Sequence, residues 1–271
     1  MADYRRYVVV ITCQPHEVDA RSDLLWAADC EAIQETIGDD GTVQLKASFV
    51  DDPVGLMAAY FDDVGATAEV ITDDSWMDQW RAYAKPFDVG RLTIWPDWTP
   101  GAPAADRVAL RIDPRRAFGF DHPATRLCLA DVDRLSRPGA TVLDVGCGSG
   151  ILAIAALLLD ADSAVGVDIE ADAIVSTNEN AALNGVGDRL AASVYWPASV
   201  SADLIVANLL APILRQLAEP ITAALALDGR LVVSGLLIGQ WESVANWYPD
   251  FTIESRHQLD VWESVTLRRP G

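Results

Sequence analysis

Three glycines at alternate positions, Gly146, Gly148 and Gly150, close the stretch TVLDVGCGSG that begins at Thr141. Val142, Leu143 and Val145 form a short apolar run before them, and Ile151 to Leu159 form an apolar segment after them. That order fits a buried strand, a turn almost without side chains, and a helix. Glycines let a backbone approach a ligand closely, and the helix N-terminus beyond offers free N–H groups. Asp168 ends a second apolar run, AVGVDI, 22 residues past Gly146. A carboxylate there can accept two hydrogen bonds from a ribose diol. Asn208 ends a third run, in DLIVANLL (203–210). The carboxyl ends of strands are where open α/β sheets bind ligands. There the Asn208 amide could hold an amine or the amino-acid end of a cofactor, or it could cap the helix that follows. The chemistry on offer is the binding of a nucleoside.

A parallel sheet is needed to bring these residues together. From Thr141 onward the patterning predicts strands at 141–145, 164–168, 190–195, 203–207, 230–234, 251–257 and 261–268, and helices at 150–159, 170–184, 211–226 and 237–246. Strands separated by helices give a mainly parallel sheet with helices on both faces. The last two strands have only His257 to Asp260 between them and should pair antiparallel. Upstream, Asp121-His122-Pro123 opens a helix reaching about Leu135, and Arg107 to Ile112 alternates as a strand. Trp76, Trp80, Tyr83, Phe87, Trp95 and Trp98, punctuated by Pro86 and Pro96, read as a short linking helix and then an irregular aromatic clasp built for packing.

The N-terminal part has its own pattern. Tyr4 to Thr12 reads as a strand and the segment from Glu17 as a helix. Two strands, 32–37 and 42–50, flank Gly38-Asp39-Asp40-Gly41, a hairpin signal. Asp51-Asp52-Pro53 opens a helix with Leu56, Met57, Tyr60 and Phe61 on its apolar face, and Ala66 to Thr72 is a last strand. The order β-α-β-β-α-β is that of a ferredoxin-like α+β sandwich. The expected organisation is a ferredoxin-like domain at 1–74, a linker at 75–104 and a seven-stranded, Rossmann-like α/β domain at 105–271.

The chain has 271 residues and a formal charge of −20. Residues 1–74 hold 16 acidic and 4 basic residues, net −12, leaving 24 and 16, net −8, for 75–271. A nucleic-acid binder needs a basic stripe, so no direct nucleic-acid binding is expected. The charge suits a basic partner, which should meet the N-terminal part first, or solubility alone. Cys13, Cys30, Cys128 and Cys147 have no CxxC spacing, and with three histidines they make no zinc site. They read as free thiols of a cytoplasmic protein. No apolar run reaches membrane-spanning length. The chain is expected to act as a monomer.

The glycine spacing is G-x-G-x-G, not the G-x-G-x-x-G of nicotinamide-dinucleotide sites. Asp144 stands two residues before Gly146, where it reads as a support for the turn. The strand, Asp144, three glycines, Asp168 and a terminal antiparallel pair together resemble class I S-adenosylmethionine-dependent methyltransferases. In amide and amine methyltransferases the Asn208 position often begins N-P-P-[YF]. Leu209-Leu210-Ala211 follow here, which argues against a glutamine-methylating site.

Longer segments carry a closer resemblance. IDPRRAFGFDHPATRLCL (112–129), VLDVGCGSGILAIAAL (142–157), VGVDIEADAIVSTNENAALNGV (165–186), VANLLAPIL (206–214), KPFDVGRLTIWP (85–96) and the Trp76/Trp80 pair look like the ribosomal protein L-eleven methyltransferase family (PrmA). The resemblance spans nearly the whole chain. It implies S-adenosylmethionine as cofactor, a basic ribosomal protein docked on the acidic N-terminal domain, and methylation of lysine ε-amines and the N-terminal amine. It places Thr125 near the cofactor, Gly146 in the glycine turn, Asp168 on the ribose and Asn208 at the reacting end. His122 is the titratable candidate for proton acceptor, or else a helix-start residue bonded to backbone. One departure stands out: where the family has A-F-G-T-G-x-H-P-T-T, this chain has Ala117-Phe118-Gly119-Phe120-Asp121-His122-Pro123-Ala124-Thr125, one residue shorter. Three rivals therefore stay open: another protein substrate, such as an electron-transfer flavoprotein; a small-molecule amine; and a non-catalytic cofactor-binding protein.

Overall fold

The computed structural model describes residues 6–27, 30, 32–38, 40–49, 67–71, 84–113 and 120–271. The chain divides into two compact units, Met1–Trp80 and Arg81–Gly271.

The first unit is built on a four-stranded antiparallel sheet in the order β2-β3-β1-β4, with β1 Arg6–Cys13, β2 Ala32–Ile37, β3 Val43–Phe49 and β4 Thr67–Ile71. Strict alternation in β3 buries Val43, Leu45, Ala47 and Phe49. They meet Val9 and Ile11 of β1 and Leu25 of helix α1 (Val18–Ala27). The β2–β3 hairpin turns where the sequence reading put it, with Gly41 at φ +80° and Asp40 Oδ1 accepting from Thr42 N and Oγ1. The helix expected after Asp51-Asp52-Pro53, the linking helix and Trp76 and Trp80 lie outside the described residues.

The second unit holds a seven-stranded mixed sheet in the order β10-β9-β8-β11-β12-β14-β13. Its strands are β8 Thr141–Val145, β9 Ser163–Val167, β10 Leu190–Ser193, β11 Ala202–Asn208, β12 Leu225–Leu237, β13 Thr252–Leu259 and β14 Trp262–Arg268. The first five run parallel; β14 is antiparallel to both β12 and β13, as expected for the C-terminal pair. Helix α2 (Pro123–Leu135) lies on the face where Ser264 Oγ donates to Asp131 Oδ2, and it packs on α3 (Ile151–Leu158). Helices α5 (Ala211–Ala224) and α6 (Trp241–Val244) bury Leu214, Ile221, Trp241 and Val244 against the other face. Helix α4 (Ala171–Leu183) packs beside α3.

Two expectations are corrected. Residues 85–104 contain no irregular clasp but a hairpin, β5 Phe87–Val89 and β6 Leu92–Pro96, with β6 parallel to β7 (Val108–Ile112). The two-residue turn is Gly90-Arg91, with Gly90 at φ +52°. Aromatics and prolines masked the alternation of this hairpin in the sequence. It is tied to α2 by Arg91, whose Nε lies 2.7 Å from Asp133 Oδ1. The helix expected over 237–246 shrinks to Trp241–Val244 plus one 3-10 turn, Ala245–Trp247. Leu237 pairs with Trp262, and Ile238 N–H donates to Val261 O, so β12 continues to Leu237 before turning at Gly239.

Candidate functional site

Register places the site. Ser193, Val167, Val145, Ala207 and Val233 lie in one row across the five parallel strands. The next residues, Val194, Asp168, Gly146, Asn208 and Ser234, therefore stand side by side at the carboxyl ends. Chain order reverses between β8 and β11, the switch point at which such sheets open a ligand crevice.

The glycine turn occupies one wall. Gly146, Gly148 and Gly150 all have positive φ, +76°, +53° and +78°. This backbone path strains any residue with a Cβ. A Cβ on Gly146 would lie 2.5 Å from Leu209 Cδ2. The N–H groups of Gly146 and Cys147 both donate to Val167 O, at 2.8 and 3.1 Å, which folds the turn over the end of β9. Gly148 N donates to Asp168 Oδ2 at 3.0 Å and Glu170 N to Oδ1 at 3.1 Å. An ionised carboxylate has about four acceptor positions, so each oxygen keeps one for a ligand.

Asp144 lies beneath the turn, 1% exposed. Its Oδ2 accepts from Ala153 N at 3.1 Å, capping α3 from below, while Oδ1 has no hydrogen-bond partner among the described residues. Burial, and secondarily the charge of Asp168, pushes its carboxyl up to about 7. The Cys147 thiol, also buried in the turn, is pushed up to about 12 by burial first and then by Asp144, so it is not a nucleophile at neutral pH.

The opposite wall joins two residues 83 positions apart in sequence: Asn208 Nδ2 donates to Thr125 Oγ1 at 3.3 Å. Thr125 is buried in the first turn of α2. His122 is the N-cap of that helix, and its Nδ1 accepts from Ala124 N at 3.2 Å. Its ring meets Trp262 edge to face at 4.5 Å, and burial lowers its pKa. A neutral imidazole accepting at Nδ1 carries its proton on Nε2. The shortened loop is described from Phe120 onward: Phe120 is buried against Phe87 of the hairpin, and Arg126, paired with Asp121, covers the other ring at 4.2 Å from its centroid.

Sequence reasoning missed two groups of residues. Ile169 is 92% exposed and Tyr195 79% exposed, with Val194 beside them, making an apolar rim around Asp168. Their signal was position: apolar residues immediately beyond the ends of β9 and β10. Thr177 and Asn180 are polar yet buried on α4. Their signal was polarity on the inner face of an expected helix.

The strand order, the glycine turn after β8 and the acidic residue after β9 define a class I S-adenosylmethionine-dependent methyltransferase fold. Residues 51–270 match the family model for ribosomal protein L11 methyltransferase (PrmA). A ribosomal protein L11 methyltransferase of Actinobacillus pleuropneumoniae serotype 3 is 42% identical over 209 residues, 75% of this chain and 71% of that one. One from Vibrio parahaemolyticus is 37% identical over 257 residues, 92% of this chain and 82% of that one. The crystal structure of a ribosomal protein L11 methylase from Lactobacillus delbrueckii subsp. bulgaricus superposes with a TM-score of 0.62 at 34% identity, covering 67% of this chain and 96% of that one. The chain belongs to the ribosomal protein L11 methyltransferase family.

Proposed function

We propose that the protein is an S-adenosylmethionine-dependent N-methyltransferase acting on amines of ribosomal protein L11. Family membership supports the reaction and the substrate. The observation that carries the site is the pairing of Asn208 with Thr125 across the switch point from Asp168 and the glycine turn. The residues present fit the cofactor. Asp168 keeps acceptor positions for a ribose diol, exposed Ile169 and Tyr195 offer a flat base an apolar surface, and the Gly146 and Gly148 backbone leaves room for close approach. Asp144 supports the turn from below through α3.

The cofactor supplies an electrophilic methyl group on a sulfonium, so this chain's residues have to position a neutral amine in line with it. Asn208 has its Nδ2 committed to Thr125, which leaves Oδ1 to accept an amine N–H and orient the nitrogen lone pair. An amine brought into this crevice loses water, and desolvation beside a positive sulfonium lowers its pKa. His122 is read here as the residue that fixes α2 and thereby Thr125. With Nδ1 in the helix cap it has no ring nitrogen left to take a proton, so the amine's proton leaves to water.

The first unit is read as a ferredoxin-like recognition domain over residues 1–74. Its sheet order β2-β3-β1-β4 and its excess of 16 acidic over 4 basic residues support docking of a basic protein. The test is incubation with labelled S-adenosylmethionine and purified L11, followed by intact-mass analysis. Methyl increments of about 14 Da on L11, one CH2 per transfer, are expected. Cofactor binding with no transfer to L11 would overturn the substrate assignment.

A further inference from the structure

We propose that Thr177 and Asn180 are positioning residues for the cofactor, which set two peptide planes of the glycine turn from behind. The inference rests on the reading of the turn as the cofactor's wall.

Thr177 and Asn180 lie three residues apart on α4, and Asn184, its C-cap, stands four further on, so they share one face. Thr177 is 0% and Asn180 2% exposed. Buried polar groups are costly unless bonded, and each of these is bonded to backbone. Thr177 Oγ1 donates to Gly148 O at 3.1 Å. Asn180 Nδ2 donates both to Ser149 O and to Asp113 O, each at 2.9 Å, while its Oδ1 accepts from Asp113 N at 2.9 Å. Asn184 repeats the second pattern one turn on: Oδ1 accepts from Arg111 N at 2.8 Å and Nδ2 donates to Arg111 O at 2.6 Å.

The spacing explains the arrangement. Four residues along a helix rise about 6 Å, and two along a strand rise about 6.6 Å. The two asparagines therefore match alternate residues at the edge of β7 and its continuation, as a neighbouring strand would. Asn180 differs from Asn184 in one respect: it also holds the glycine turn. In a trans peptide the N–H points opposite the C=O. With the Gly148 carbonyl drawn to Thr177, the Ser149 N–H is turned away from α4. With the Ser149 carbonyl drawn to Asn180, the Gly150 N–H is turned to Cys147 O, 2.7 Å away, which closes the turn. The glycines permit this path, and α4 selects it.

The test uses the full chain and titration calorimetry with S-adenosylhomocysteine, well below the melting midpoint of each variant, beside a thermal melt. Asn180→Ala and Thr177→Val each should weaken binding by about tenfold, the usual effect of losing one hydrogen bond that fixes a ligand-facing group. Asn184→Ala loses the β7 pairing and a bond to Asn180 O but no bond to the glycine turn; it should lower the melting midpoint and leave Kd within about twofold. In steady state, Asn180→Ala should raise KM for the cofactor and not for the protein acceptor. If Asn180→Ala does not fold, Thr177→Val alone decides. Wild-type binding with unchanged Asn180→Ala and Thr177→Val affinities overturns this inference alone, as does an equal loss in all three variants. A wild-type chain that does not bind overturns the reading of the site and this inference with it.

Discussion

The two halves of the seven-stranded sheet end in different materials. At β8, β9 and β10 the crevice is walled by backbone: three positive-φ glycines, N–H groups folded over Val167 O, and one carboxylate that grips Gly148 N and Glu170 N. At β11, β12 and β14 it is walled by side chains. Asn208 bonds Thr125, His122 rests on Trp262, and Leu210, Leu237 and Ile238 are exposed near the strand ends. Backbone shape can hold a ligand whatever the neighbouring side chains are, and side chains at strand ends can be exchanged to suit an acceptor without rebuilding the sheet. The first half should therefore respond to substitution in cofactor affinity and the second in turnover.

Asp168→Ala gives the largest expected break in that contrast. It removes a charged acceptor and frees the turn, at a cost of about 2 kcal/mol or more in cofactor binding. Calorimetry showing unchanged affinity would remove Asp168 from the site. Gly146→Ala comes next. Its φ of +76° and the 2.5 Å approach to Leu209 Cδ2 predict strain of about 1–2 kcal/mol and weaker cofactor binding. Adding Leu209→Ala should restore the part due to contact and leave the part due to backbone. A double variant no better than the single would show that contact is not part of the cost.

On the other half, Asn208→Ala should leave cofactor affinity within about twofold and slow transfer by about tenfold or more. A labelled-methyl assay with unchanged turnover sinks its assignment to the acceptor side. The smallest effect concerns Asp144. Burial raises its folded pKa to about 7, above the ordinary carboxylate range, so the folded state binds the proton more tightly than the unfolded one. The contribution is fully favourable below the unfolded pKa and is lost as pH rises through about 7. Asp144→Asn should therefore melt increasingly above wild type as pH goes from about 5 to about 8, by on the order of a few degrees. A constant gap across that range would refute the buried, proton-linked carboxyl.

Much of the first half was legible because its signals are local. A glycine in a tight turn, a strand's apolar run and a carboxylate at its end are all read from neighbours in sequence, and Asp168 follows β9 and Gly146 lies in a positive-φ turn after β8. The hairpin at Phe87–Pro96 was legible too, through Val89-Gly90-Arg91-Leu92, but aromatic content outweighed alternation in the reading. The β12 extension to Leu237 was not, because its cause is the pairing with Trp262, 25 residues away.

The sequence by itself determined that a glycine turn follows β8, which strands flank it, and that Asp168 ends the neighbouring run. Periodicity and φ-permissive residues are properties of short stretches. Only the tertiary structure decided what stands opposite and what holds the turn in shape. It brought Thr125 to Asn208, committed His122 to a helix cap, and set Thr177 and Asn180 behind Gly148 and Ser149. Those contacts join elements far apart in the chain. Their partners are chosen by sheet order and helix packing, which no single stretch of sequence encodes.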